Sequence, residues 1–432
     1  MKLFSQADQA KINQIAEKSK LHEEITTTST KSNKSINDDL NRMSEEVKAY
    51  FADSKSELIQ DKNILHEYVD KCIEAKYVGI DTETTGLDRT YDTIVGFSLY
   101  YPGGVEVYIP NKHKIPIFEA PYKNQLTYED VAVELRRMCD GGVKFIFANA
   151  DFDLAMIYKD YKVDLLPNFY YDVILAWRCI KEDERDNTLK GLYAKYVLKG
   201  KGDPKKFSDF FTPELFPYCK PEIAKLYAAN DAKITFELYE WQLPYITKGT
   251  EKCTKHKFES IADLVWGVEF PMVAVCQKLH RTGMYLDANT ARILLKRYSK
   301  MQEDETVKLQ KMVQEILDKH PARRNLKGYI TSGKDFNPKS SDQVAYLLYD
   351  VMGVPAPKGT RTTNKDVLKA LNLPITNQIL YLRSLGVLMS TFIEKLPKAA
   401  LYDGRVHGTF KSIGADTGRM SSADPRLNWA CA

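Results

Sequence analysis

The sequence has no CxxC pair. Its seven cysteines stand alone at 72, 139, 179, 219, 253, 276 and 431. That scatter supports neither a zinc site nor a disulfide framework, so a reduced, intracellular (cytoplasmic) protein is the expectation. No apolar run approaches the roughly 20 residues that a membrane span needs, which excludes a transmembrane helix. The first residues, MKLFSQADQAKINQ, are polar and show no secretory signal. There is no internal repeat, which argues against a solenoid. Charge of one sign is lacking too, because 62 basic residues nearly cancel 58 acidic ones for a net of +4. What is present is length and aromatic content. The 432 residues, 44% apolar with 26 Tyr and 18 Phe, suffice for two or three domains and are too rich for a disordered tail.

The charge is unevenly spread. Residues 1–75 carry 11 basic and 14 acidic residues, residues 76–250 carry 23 and 26, and residues 251–432 carry 28 and 18. The final segment, at +10, suits a polyanionic partner, although most of its individual lysines read as solvated helix faces. Residues 20–46, rich in Ser, Thr, Asn and charge, read as a loose linker after a short N-terminal helix. Strands are expected at 76–81, 93–101, 105–110 and 144–148, with a turn at Pro102-Gly103-Gly104. Helices are expected at 127–139, 151–160, 172–181, 189–197 and 221–242. The spacing then predicts a mainly helical stretch over 258–282, 288–320, 364–371 and 375–395. Asp287 is a candidate N-cap and Ser340 to Gln343 a capping box. A last strand is expected at 405–410.

The sharpest local feature is Asp81-Thr82-Glu83-Thr84-Thr85-Gly86-Leu87. Alternate residues share one face of a strand, so Asp81 and Glu83 point together. Two adjacent carboxylates need a proton or a cation between them, and hard oxygen donors suit Mg²⁺ or Mn²⁺. Asn149-Ala150-Asp151-Phe152-Asp153 follows a strand and opens a helix, which brings Asp153 to the same sheet edge. Tyr227 and Asp231 lie one turn apart on a helix. Each feature alone has an ordinary reading: solvated acids at a strand end, a helix N-cap at Asn149 or Asp151, or a buried Tyr beside a surface Asp.

In this order the three features resemble the proofreading 3′→5′ exonuclease domains of the RNase H-like fold, with D-x-E, N-x-x-x-D and Y-x-x-x-D motifs. The resemblance implies an α/β domain with a mixed sheet covered by helices. It also implies two metal ions held by Asp81, Glu83, Asp153 and Asp231, with Tyr227 orienting the attacking water. Thr84 and Leu87 then stand where family members contact the terminal nucleotide, and Asn149 where they contact the strand.

Later blocks, including EFPMVAVCQKLHRTGMYLD, LRSLGVLMSTFIEKLP and the T-G-R-x-S-S-x-x-P run from Thr417 to Pro425, resemble the thumb and the start of the palm in family A DNA polymerases. By that resemblance Arg419, Ser421 and Ser422 contact DNA. The expected domains are an N-terminal helix and linker (1–60), the exonuclease (61–249), a helical polymerase entry and thumb (250–400) and the first piece of a palm (401–432). Lys411-Ser412 and the final residues from Asn428 depart from the family pattern, and the palm and fingers motifs do not follow. The expectation is a DNA-proofreading exonuclease that polymerises only if complemented by a separate chain carrying palm and fingers. The alternatives are a non-catalytic DNA-binding subunit and an RNA 3′-trimming enzyme.

Overall fold

The β-rich run at 76–81 becomes the middle of a six-stranded sheet. In the computed structural model, the described residues are 33–116, 120–181, 183–184, 187–201, 205–249, 259–321, 335–400, 403–414 and 418–423. They form two compact units. The first runs to Thr282 and takes in Thr409–Ala423, and the second comprises Gly283–Gly408. The expected boundary at 249/250 adjoins residues 250–258, which lie outside the described residues.

In the first unit, β1 (Glu57–Leu58), β2 (Tyr77–Thr84), β3 (Ile94–Tyr100), β4 (Val107–Pro110), β5 (Lys144–Phe147) and β6 (Phe169–Asp172) stand in the order β1-β4-β3-β2-β5-β6. The β2, β3 and β4 strands are antiparallel, whereas β5 and β6 join β2 in parallel. β3 and β4 are buried throughout, which fits a sheet covered on both faces. The connections and faces are supplied by α1 (Asn33–Tyr50), α2 (Lys62–Ala75), α3 (Tyr128–Asp140), α4 (Ala150–Tyr161), α5 (Val173–Ile180), α6 (Leu189–Leu192), α7 (Phe207–Phe210) and α8 (Pro221–Thr247). The two-residue β1 and four-residue β6 were missed by the sequence reading, because runs that short carry almost no periodicity.

The reading of 20–46 as a linker is corrected over the part that is described. Residues from Asn33 onward form α1. Leu40, Met43 and Val47 recur at helical spacing and are buried in a cluster with Phe210, Phe211 and Tyr227. Three apolar residues on one stripe outweigh the polar composition once a partner surface exists. Residues 20–32 lie outside the described residues.

The stretch expected as one helix over 258–282 is α9 (Ile261–Leu264), a π-helical turn (Val265–Glu269) and α10 (Phe270–Thr282). In the second unit, α11 (Ala288–Lys319) starts at Asp287, whose carboxylate accepts from the N–H groups of Asn289 and Thr290. Next come α12 (Ser341–Ala345), α13 (Lys365–Leu371), α14 (Pro374–Leu388) and α15 (Lys395–Ala399). Ser340 caps α12 by accepting from Gln343 N–H, but the reciprocal half of the expected box is diverted. The Gln343 side-chain oxygen instead accepts from Asn337 N–H at 2.7 Å. The strand expected at 405–410 is divided. β8 (Arg405–Val406) pairs with β7 (Met284–Tyr285) in the second unit. β9 (Thr409–Lys411) pairs with β10 (Ser421–Ala423) in the first.

Candidate metal centre

Asp81 and Glu83 sit near the C-terminal end of β2 and share one face of it. The β2–β3 register slips between Glu83 and Thr84, so the chain leaves the sheet just past the second carboxylate. Asp231 reaches the same place from α8. That helix crosses β2 at Gly79, where a Cβ would lie 2.3 Å from the Ala232 carbonyl oxygen. The missing side chain at Gly79 is what lets α8 come this close. Carboxylate oxygens of Asp81, Glu83 and Asp231 then lie within 4.8 Å of one another. This is a set of hard, anionic oxygen donors with no sulfur or imidazole, which fits Mg²⁺ or Mn²⁺.

Asp153 is held differently. It lies in the first turn of α4, and its Oδ1 accepts from Thr82 N–H at 3.2 Å and from Thr82 Oγ1 at 2.5 Å. Thr82, which alternates with Asp81 and Glu83 along β2, thus ties the second motif to the first. The start of α4 is fixed from below by Asp172, whose carboxylate accepts from the N–H groups of Asn149, Ala150, Ile174 and Leu175. One buried acid therefore caps both α4 and α5, the role the local reading offered to Asn149 or Asp151. Asn149 instead occupies the left-handed region at φ 71°, makes no side-chain cap bond and leaves its side chain exposed.

Burial governs the electrostatics. It pushes the Asp81 carboxyl well above the usual range, and the charges of Asp153, Asp231 and Glu83 push it further. Burial, with the charge of Asp231, raises Glu83 to about 8. Asp153 rises to about 7 through burial, against the two bonds from Thr82. Asp231 is raised by burial and pulled back by Lys190. A cluster that resists ionisation when empty is one that a divalent cation stabilises strongly.

Tyr227 lies one turn before Asp231 and is only 4% exposed. Phe51, Phe207, Phe210 and Phe211 ring it at centroid distances of 5.5–6.3 Å. Burial and the three nearby carboxylates raise its phenol above the ordinary value, so it stays protonated. Lys190, which sequence reasoning did not single out, sits 3.0 Å from Asp231 Oδ1. Its ammonium is 3.3 Å from the Tyr227 ring centroid. Nothing in the local pattern around Lys190 distinguishes it from a solvated lysine.

The remaining predicted residues are dispersed. Thr84 Oγ1 donates to the Gly86 carbonyl at 2.7 Å. Leu87, at 83% exposure, is the most exposed of the large apolar side chains described. Arg419 is exposed, while Ser421 and Ser422 lie on β10 opposite Lys411 and Phe410. Thr417, Asp424 and Pro425 of the same run lie outside the described residues.

Residues 56–241 match the 3′-5′ exonuclease family, and residues 306–429 match DNA polymerase family A. DNA polymerase I of Pseudomonas aeruginosa is 25% identical over 391 residues, covering 86% of this chain and 38% of that protein. The Borreliella burgdorferi DNA polymerase I is 26% identical over 418 residues, covering 95% and 40%. A thermostable DNA polymerase I of Thermus aquaticus is 33% identical over 182 residues, covering 40% and 20%. The chain thus spans at most about two fifths of the length of these relatives. Among solved structures, the POL domain of Pol1 from M. smegmatis, in complex with DNA primer-template and dNTP, aligns with a TM-score of 0.62 at 17% identity. The alignment covers 86% of this chain and 55% of that one. At that identity it bears on the fold alone. The chain thus carries a 3′-5′ exonuclease domain over residues 56–241 and a DNA polymerase family A segment over residues 306–429, in the order in which its DNA polymerase I relatives match it.

Proposed function

We propose that this chain removes nucleotides from DNA 3′ ends by metal-dependent phosphodiester hydrolysis at Asp81, Glu83, Asp153 and Asp231. The observation that carries the reading is the convergence of three carboxylates, two of them buried, within 4.8 Å, inside the segment that matches the exonuclease family. Two divalent ions bound there would supply a nucleophilic water and neutralise the departing 3′-oxygen. Asp81, Glu83 and Asp231 would hold one ion, and Asp153 would help hold the second once it turns from Thr82.

The protein's own groups do the rest. Tyr227 keeps its proton, so its hydroxyl serves to orient water by hydrogen bonding and not as a base. Leu87 projects an apolar side chain into solvent beside the site, where it can wedge against a terminal base. Thr84 and Asn149 offer polar contacts to the strand. For residues 251–432 we propose duplex binding through their basic excess, with Arg419, Ser421 and Ser422, which belong to the first unit, at phosphates or the minor groove.

The test is a 5′-labelled single-stranded oligonucleotide incubated with Mg²⁺. Stepwise shortening from the 3′ end is expected. Asp81→Ala and Asp231→Ala should each lower the rate by about a thousandfold or more, since each removes charge that organises the transition state. Wild-type rates in both variants would reject the assignment, and no shortening in the wild type would favour a non-catalytic DNA-binding role. Running the RNA oligonucleotide of the same sequence separates DNA proofreading from RNA trimming.

A further inference from the structure

A cation already occupies the flank of the carboxylate cluster. Lys190 lies in the first turn of α6, whose N-cap Thr188 accepts from Gly191 N–H. The helix rests against α8, and the lysine ammonium reaches both the Tyr227 ring and Asp231. The side chain is 13% exposed and its partner Asp231 is 12% exposed, so the pair is largely withdrawn from water. The ion pair at 3.0 Å is off the hydrogen-bonding direction: Lys190 Nζ and Asp231 Oδ1 are both buried without a hydrogen bond. The contact is therefore held by charge and by the Tyr227 ring face rather than by a directional bond.

We infer that Lys190 is the resident counter-cation of the metal-free site, and that a divalent ion must compete with its ammonium for Asp231. The inference rests on the proposed metal-binding role of Asp81, Glu83 and Asp231. The carboxylates of Asp81, Glu83 and Asp231 converge beside Lys190, and its ammonium offsets part of their charge. A divalent ion entering next to Asp231 meets that ammonium within a few ångströms in a medium of low dielectric, where like charges repel strongly. Lys190 is thus a positioning residue. It keeps Asp231 and Tyr227 in place while no ion is bound, at the cost of metal affinity. A lysine whose role was only to tie α6 to α8 would stabilise the fold and leave metal affinity unchanged or better.

The experiment is Mn²⁺ binding to the full chain, followed by electron paramagnetic resonance of free Mn²⁺ at fixed pH and ionic strength, without DNA. Lys190→Met should bind Mn²⁺ about tenfold more tightly than wild type, a modest share of the repulsion expected at this separation. Its melting temperature in EDTA should fall, and the rise in melting temperature on adding Mn²⁺ should exceed that of wild type. Lys190→Arg, which keeps the charge, should bind Mn²⁺ as wild type does. Should the Met variant fail to fold, Lys190→Gln carries the same expectation. Neutral variants that bind Mn²⁺ no more tightly than wild type overturn the inference while leaving the metal site standing. A wild-type chain that binds no Mn²⁺ overturns the metal site and the inference with it.

Discussion

The two compact units use their longest helices in opposite ways. In the first unit, the 27-residue α8 buries fifteen residues, including the polar Asp231, Thr235 and Gln242. In the second, the 32-residue α11 buries only Leu309, Val313 and Leu317, all in its C-terminal half. α8 lies against the sheet and carries ionisable groups that are tolerable only because neighbouring elements answer them. α11 keeps one face of its N-terminal half in solvent, with Arg292, Lys296, Arg297 and Lys300 exposed there, while Leu295, Tyr298 and Met301 pack half-buried against Leu385, Met389 and Ile393. A buried charge demands a precise surround, whereas a charged surface helix demands little beyond its own periodicity. The first unit is built around a site, and the second presents a face.

The largest expected effect tests the tight crossing that defines the first unit. Gly79→Ala places a Cβ 2.3 Å from the Ala232 carbonyl oxygen and 3.2 Å from Phe236 Cβ. Neither neighbour can move without moving α8. A loss of about 3 kcal/mol in urea unfolding is expected, together with weakened Mn²⁺ binding as Asp231 withdraws. Unchanged stability would show that the crossing is looser than its geometry implies.

A smaller effect follows from the buried acids. Glu83 at about 8 and Asp153 at about 7 lie above their ordinary values of 4.5 and 3.8. Between those limits the folded, metal-free chain binds more protons than the unfolded one. Its stability is therefore greatest at the acid end of the window and falls as pH rises towards about 8. Melting in EDTA across this range should show the decline, and saturating Mg²⁺ should flatten it by replacing protons in the cluster. A melting temperature independent of pH without metal would mean the carboxylates are better solvated than the fold indicates.

The smallest effect belongs to the second unit. Ile293 on α11 is 67% exposed. Ile293→Ala should change stability by no more than about 0.5 kcal/mol. A loss above about 1 kcal/mol in the isolated chain would show that this half of α11 is covered, and would blur the contrast with α8.

Much of the candidate site was legible because its signals are local. Asp81 and Glu83 needed only the two-residue period of a strand, and Tyr227 with Asp231 only one helical turn. Asp287 announced the start of α11 in the same way, through a side chain that caps its own neighbours. Other features were invisible for an equally physical reason. Thr82 reads as a spacer inside D-x-E until α4 brings Asp153 to its hydroxyl. Asp172 reads only as the first residue of an expected helix until it is seen capping two helices. The polar composition around residues 33–47 gave no hint that Leu40, Met43 and Val47 had a partner surface.

The sequence by itself determined the longer strands and helices and the identity of the acids, since both follow from spacing within a few residues. Only the tertiary structure decided how those acids are answered: Thr82 for Asp153, Lys190 for Asp231, and Gly79 as the gap that admits α8. Each of those answers comes from a different element of the chain. No local pattern encodes which charge will meet which when a sheet and its helices close over one another.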